Sequence, residues 1–359
     1  MNIVATGAKI RVLVVDDSPV ARELLAHILN GAPETEVIGV ANDGEAAVRE
    51  AGRLRPDVIV MDIHLPGLDG FAATRKIMET WPTRIVMATA TTDPKEVAAN
   101  FHAMEAGALS VLAKPRGVGH PDFAADAEEL VRTVRLMSEV PVVKRWPRGG
   151  RASHAPAGVG AGAVNALRIV AIGASTGGPI ALQRLLSELP KDFPVPIVIV
   201  QHISDSFVDG LTEWLADTTG YRVRIAAGGE PARPGVAYVA PSGRHMQVQA
   251  NGTIALVDGP KEHGVRPSVS VLFRSVVASF GAAHAGVLLT GMGRDGACEL
   301  KAMREAGGIT FAQDRESSVV FGMPGEAVTL DAARYVLSPE QIAAVLVNLV
   351  AGQEMPLRK

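Results

Sequence analysis

The stretch RVLVVDDSPVARELLAHIL, Arg11 to Leu29, decides the fold class. Its first five residues, Arg11 and the apolar run Val12–Val15, read as a buried strand. Ala21, Leu24, Leu25, Ile28 and Leu29 then recur at helical spacing and form one apolar face. The same alternation continues outward from it. Val37–Val40, Val58–Met61, Ile85–Ala88 and Ser110–Ala113 read as strands, and Glu45–Leu54, Phe71–Trp81, Lys95–Ala106 and Phe123–Ser138 as helices. Strict alternation at these lengths predicts a doubly wound, five-stranded parallel sheet covered by helices on both faces.

A second α/β pattern begins at Arg168. Strands are expected at Arg168–Ile172, Ile197–Val200, Gly235–Ala240, Gly286–Thr290 and Ile309–Ala312. Helices are expected at Pro179–Leu189, Val208–Thr219, Val269–Phe280, Ala297–Ala306 and Pro339–Ala351. Met246–Val257 reads as an antiparallel hairpin turning at Asn251-Gly252, beside a mostly parallel sheet. Between the halves, KRWPRGGRASHAPAGVGAGAV is rich in Gly, Ala and Pro, with its cations clustered early. It reads as a flexible linker, with a basic docking segment as the alternative. The expected limits are 8–140 and 167–352 for the two domains, with 141–166 as the linker.

Composition narrows the function. The chain of 359 residues suits two domains at roughly 150 residues each. An apolar content of 47% supplies two cores and excludes global disorder. A net charge of −3 argues against a chain-wide footprint for nucleic acid, and three Trp, three Tyr and nine Phe argue against a base-stacking surface. The single cysteine, Cys298, can make no internal disulfide and is expected to be a small core residue. The N-terminus does not read as a signal peptide, and the uncharged run 275–293 is divided by glycine, so no membrane insertion and a cytoplasmic location are expected.

The strand ends of the first half carry chemistry. Asp16 and Asp17 follow the first strand, Asp62 the third, Thr89 the fourth and Lys114 the fifth. Parallel strands bring these ends to one edge. Three carboxylates there repel one another unless a hard divalent cation, Mg²⁺ above all, joins them. A carboxylate beside such an ion and a lysine is placed to accept a phosphoryl group, with Thr89 donating to the product. Capping of the first helix would explain the aspartate pair alone, but not the whole set. Through VVDDS, VMDIHLPGLDG, VMATAT and VLAKP, residues 10 to about 135 resemble a response-regulator receiver. The resemblance implies phosphorylation at Asp62, Mg²⁺ at Asp16, Asp17 and Asp62, and a switch through Thr89 and Lys114. Receivers often carry an aromatic residue three positions before the lysine, where this chain has Val111.

In the second half, Ser175 lies in strand–GASTGG–helix, where glycines permit a tight turn and the helix N-terminus offers free N–H groups. Anion binding and nucleophilic attack both suit that element. His202 directly follows IVIVQ, and Asp295 lies just beyond VLLT. Each has a bland reading, as a polar strand end and a helix cap. Together, a Ser, a His and an Asp at three strand ends meet the needs of a triad. N–H groups near Thr176 and Gly177, and around Met292, could form an oxyanion hole. His245 and His263 fall in loops and could line a substrate groove, while His284 is expected in helix-rich, small-residue surroundings.

AIGASTGGP, VIVQHI, GVRPSVSVLF, VLLTGMGRDGA and QDRESSVVFGMPGEA, over about 167 to 349, resemble the chemotaxis protein-glutamate methylesterase (CheB) family. With the receiver in front, the resemblance covers nearly the whole chain. It implies catalysis by Ser175, His202 and Asp295, without a cofactor, on glutamyl methyl esters and particular glutamines of a methyl-accepting chemoreceptor. It also implies a chemotaxis-type histidine kinase as phosphodonor, and a receiver that covers the esterase site until phosphorylated. The competing readings are a receiver joined to a non-catalytic interaction module and a receiver with a nucleic-acid output domain. Charge and the lack of a helix-turn-helix disfavour the latter.

Overall fold

The computed structural model describes residues 8–90, 101, 110–140 and 167–351, and the chain folds into two compact units. The expected linker, 141–166, lies outside the described residues, as does nearly all of the helix expected over Lys95–Ala106.

The first unit runs β1 (Ile10–Val15), α1 (Pro19–Gly31), β2 (Thr35–Ala41), α2 (Gly44–Leu54), β3 (Val58–Asp62), α3 (Gly70–Thr80), β4 (Arg84–Thr89), β5 (Ser110–Ala113) and α4 (Phe123–Ser138). Its five strands are parallel in the order β2-β1-β3-β4-β5. The helix starts are encoded locally. The side chains of Ser18, Asp43 and Asp69 accept from the N–H groups of Ala21, Ala46 and Ala72, and Pro19 supplies a first-turn φ that needs no donor. β3 is buried along its whole length, as a strand covered on both faces must be.

The second unit contains β6 (Ile169–Ala174), α5 (Gly178–Glu188), β7 (Ile197–Gln201), α6 (Val208–Thr219), β8 (Arg222–Ile225), β9 (Val236–Val239), β10 (His245–Val248), β11 (Ile254–Val257), α7 (Val269–Phe280), β12 (His284–Leu288), α8 (Ala297–Glu305), β13 (Ile309–Gln313), α9 (Met323–Thr329), β14 (Tyr335–Leu337) and α10 (Pro339–Val350). Seven strands form a sheet in the order β14-β13-β12-β6-β7-β9-β8, every pair of it parallel. The expected hairpin is a separate two-stranded sheet, β10–β11, that packs on α7 through Met246, Val248 and Ile254. β8, β14 and α9 are elements the sequence pattern did not reveal. The chain first builds the sheet outward from β6 through β7, then returns to extend it through β12 on the other side. The crevice at such a reversal, outside the carboxyl ends of the strands, is where open α/β sheets bind ligands. In the first unit the same reversal falls between β1 and β3.

Two expectations change. Cys298 is exposed, because Ala297, Leu300 and Met303 form the buried face of α8 and the next position turns outward. His284 opens the buried strand β12 and is 1% exposed; burial pushes its pKa down. Among the described residues no helix is long and apolar enough to cross a membrane.

Candidate functional site

At the β1/β3 reversal, Asp16, Asp17 and Asp62 each offer a carboxylate oxygen, all within 4.8 Å of one another. Asp16 and Asp62 are buried and Asp17 is exposed. Lys114, carried in from the end of β5, places Nζ 2.7 Å from Asp16 Oδ2 and 2.8 Å from Asp62 Oδ2. Burial pushes the Asp62 pKa up, and the hydrogen bond and charge of Lys114 only partly oppose this. Burial alone would lower the Lys114 pKa, but its contacts with Asp16 and Asp62 raise it on balance. An all-oxygen, carboxylate-rich set at this spacing suits a hard divalent cation. Thr89 is fully buried at the end of β4, and its carbonyl accepts from the Lys114 N–H at 2.7 Å. Val111 packs against the core of the first unit rather than standing free.

In the second unit, β6 delivers Ser175, β7 delivers His202, and the loop after β12 delivers Asp295. The three positions meet at the reversal between β6 and β12. Ser175 N–H donates to the Thr290 carbonyl at 3.0 Å, and His202 N–H to the Ala174 carbonyl at 2.9 Å. Gln201, buried at the end of β7, donates Nε2 to the carbonyls of both Ser175 and His202, at 2.9 and 2.8 Å. That amide clips the two strand ends together. Gly291 is needed by close approach, since a Cβ there would lie 2.7 Å from Ser175 Cβ. Gly177 is needed by conformation: it stands at φ +76 before α5, and a Cβ would also meet Val319.

His202 Nε2 lies 2.9 Å from Asp295 Oδ2. A carboxylate that can only accept requires the proton on Nε2, which leaves Nδ1 as the basic nitrogen. Asp295 is 3% exposed and saturated with donors. Its Oδ2 also accepts from Val269 N–H at 2.7 Å, and its Oδ1 from Ser268 Oγ at 2.8 Å and Ser270 N–H at 3.0 Å. These donors are the cap and first turn of α7, so a helix N-terminus points at the carboxylate. Burial acts to raise the Asp295 pKa, yet the hydrogen bond and charge of His202 and the N–H of Ser270 hold it well below the usual carboxylate range.

Of the expected oxyanion donors, no hydrogen bond among the described residues occupies the N–H of Thr176, Gly177 or Met292. The N–H of Gly291, in the same expected cluster, is taken by the Val320 carbonyl at 3.1 Å. His245 lines no groove: it is buried, accepting from Ser268 N–H at 3.2 Å on Nδ1 and donating from Nε2 to the Pro260 carbonyl at 2.9 Å. His263 is exposed. Sequence reasoning missed Gln201, Ser268 and Ser270, and gave His245 a different role. The adjacency Gln201-His202 was the one local hint; the others act only through folding.

Known proteins share this arrangement of domains. A family model described as CheB methylesterase matches residues 170–346, and one described as response regulator receiver domain matches 12–120. The chain is 52% identical over 351 residues to protein-glutamate methylesterase/protein-glutamine glutaminase 1 of Syntrophus aciditrophicus, covering 97% of this chain and 100% of that one. It is 53% identical to the protein-glutamate methylesterase/protein-glutamine glutaminase of Nitrosospira multiformis, covering 95% and 97%. The crystal structure of the Thermotoga maritima CheB methylesterase catalytic domain matches with TM-score 0.50 and 38% identity, covering 52% of this chain and 100% of that chain.

Proposed function

Because the chain belongs to the CheB family of receiver-linked protein-glutamate methylesterases, we propose that Ser175, His202 and Asp295 are its catalytic residues. The enzyme is a carboxylic ester hydrolase of the protein-glutamate methylesterase/protein-glutamine glutaminase kind. The reading rests above all on the 2.9 Å contact of His202 with a buried, donor-saturated Asp295, at the strand ends beside Ser175.

Asp295 holds the Nε2–H tautomer, so Nδ1 takes the proton as Ser175 Oγ attacks the ester carbonyl. The negative charge that develops on the carbonyl oxygen is met by the N–H groups of Thr176, Gly177 and Met292, each worth about 3–4 kcal/mol in such a role. The imidazolium that forms is stabilised by Asp295 and returns its proton to the departing methoxide, releasing methanol. Water, deprotonated by His202, then cleaves the glutamyl-serine ester. A glutamine amide presents the same carbonyl and leaves as ammonia. No cofactor enters these steps. The substrate is a glutamyl methyl ester, or a specific glutamine, on a methyl-accepting chemoreceptor.

The receiver spans 8–140 and the catalytic domain 167–352, joined by the linker 141–166. Asp16, Asp17 and Asp62 would hold Mg²⁺, which would supply positive charge to neutralise the phosphoryl group. Asp62 accepts that group from a chemotaxis-type histidine kinase, and Thr89 and Lys114 engage the product. The cell compartment that this reading implies is the cytoplasm. A non-catalytic interaction module is disfavoured, since it would need neither the His202–Asp295 pair nor Ser175 beside it.

The test is methanol release from a methylated receptor fragment. Ser175→Ala should lower it by on the order of 10⁴-fold and abolish labelling by a serine-directed probe. A folded Ser175→Ala protein with near-normal turnover would remove Ser175 as the nucleophile.

A further inference from the structure

Asp295 reaches a second set of side chains through Oδ1, the oxygen that does not face His202. Ser270 N–H donates to that oxygen at 3.0 Å. The Ser270 hydroxyl is fully buried; it donates to Glu299 Oε2 at 2.7 Å and accepts from Gly296 N–H at 2.9 Å. Ser270 is therefore bonded to both segments that fix Asp295, the start of α7 and the turn at Gly296. Glu299 can only accept, so it forces the hydroxyl proton toward itself and leaves a lone pair for Gly296. Glu299 Oε1 is paired with Arg274 Nη1 at 2.9 Å, and the same nitrogen lies 2.7 Å from Glu262 Oε1.

The charges in this cluster do not cancel by themselves. Glu299 and Glu262 share one guanidinium, and the charge of Asp295 also acts on Glu262. Glu299 keeps only 15% of its side-chain surface exposed, so its charge acts through a partly water-excluded path. Without Arg274, that charge would add to the field of Asp295 at the imidazole of His202.

Resting on the catalytic assignment above, we propose that Ser270, Glu299 and Arg274 are positioning residues for the His202–Asp295 pair. Ser270 latches the Asp295 turn to the start of α7. Glu299 fixes the orientation of the latch. Arg274 offsets the negative charge that Glu299 adds at the Ser270 latch. The other titratable groups on the segments adjoining the pair are Asp205, His245, His263, Arg266 and Arg294; of these, His263 acts by charge on Glu262 and His245 accepts from Ser268 N–H, and both stay in place in every variant below.

The experiment uses the full-length protein at low salt and reads two quantities: the acid limb of kcat/KM for methanol release, and the titration of the His202 ring protons by NMR. Glu299→Gln keeps an acceptor but removes a negative charge, so imidazolium is less favoured and the acid limb moves to lower pH. Arg274→Gln removes a positive charge and moves it to higher pH, while Arg274→Lys stays with the parent. Each displacement is expected to be about half a pH unit, a roughly threefold change in kcat/KM on the limb. Ser270→Ala leaves every charge in place, so it should lower kcat about tenfold with KM and the limb unmoved. A merely structural role would move both charge variants the same way or neither, and either outcome overturns the proposal. Failure of the catalytic assignment appears separately, as an active Ser175→Ala protein, and the NMR titrations decide the latch in that case too.

Discussion

Replacing Asp295 by asparagine preserves shape and alters only what the side chain can accept. In the native protein Oδ2 accepts from His202 Nε2 at 2.9 Å and Val269 N–H at 2.7 Å, while Oδ1 accepts from Ser268 Oγ at 2.8 Å and Ser270 N–H at 3.0 Å. An amide turns one of these positions into a donor. Whichever way it lies, its NH₂ opposes a backbone N–H, of Val269 or of Ser270, and that group cannot rotate away. One unpaired buried donor costs about 1–3 kcal/mol. Loss of the anion from the N-terminus of α7 adds about 1 kcal/mol more. For a domain of this size the melting temperature should therefore fall by about 5–15 °C. Chemistry should suffer more. With NH₂ toward His202 the imidazole must accept on Nε2, which puts its proton on Nδ1, the nitrogen meant to receive one from Ser175. We expect kcat for methanol release to drop by about 10⁴-fold with the enzyme still folded. The pH dependence carries a second check. The folded-state pKa of Asp295 is depressed, so its contribution is complete above the unfolded carboxylate value, about 3.9, and is lost as the pH falls through the lower folded value. The melting-temperature gap between the two proteins should be constant from about pH 5 to 8 and shrink below about pH 4. A folded Asp295→Asn enzyme within about tenfold of the parent rate would refute the tautomer argument. A gap that widens in acid would refute the electrostatic one.

Phosphorylation of Asp62 from a small phosphodonor should stop with EDTA and resume with Mg²⁺, and Asp62→Asn should take up no acyl phosphate; label on another residue of that variant would sink the assignment. Gly291→Ala sets a methyl group 2.7 Å from Ser175 Cβ and 2.5 Å from Met323 Sδ, so it should cost at least tenfold in kcat while the melting temperature of the receiver stays put; unchanged kcat would show that Ser175 has room to shift. Tethering by a linker of about 25 residues gives a roughly millimolar effective concentration of receiver around the esterase. The fragment from about Ala166 to Lys359 should therefore outpace the unphosphorylated full-length enzyme on receptors, and a folded fragment that is no faster would show that the receiver acts by positive contact instead.

Periodicity made most of the architecture legible in the sequence. Apolar runs of strand length and helical stripes are local properties, and in a parallel sheet they recur with little ambiguity. The helix spans Phe123–Ser138, Val208–Thr219 and Val269–Phe280 were therefore readable to the residue. The same logic put Asp16, Asp17, Asp62, Lys114, Ser175 and His202 at strand ends, since residues that end parallel strands share one edge whatever the packing. Edge elements escaped it. β8 and β14 are short and partly exposed, so they need no continuous apolar run, and α9 spans only Met323–Thr329 with a glycine inside it. Cys298 was misjudged because free cysteine is among the most often buried residue types, while the direction of the side chain depends on which face of α8 meets the sheet. The partners of Asp295 were beyond reach for a deeper reason. Ser268 and Ser270 lie 27 and 25 residues before it, and His245 lies 23 residues before Ser268. Their hydrogen bonds exist because α7 packs with its N-terminus against the β12–α8 loop. The sequence by itself determined which groups could do the chemistry and which edge they would occupy. Only the tertiary structure decided which carboxylate oxygen faces the imidazole and what holds it there, because such hydrogen bonds depend on the mutual placement of segments that share no local pattern.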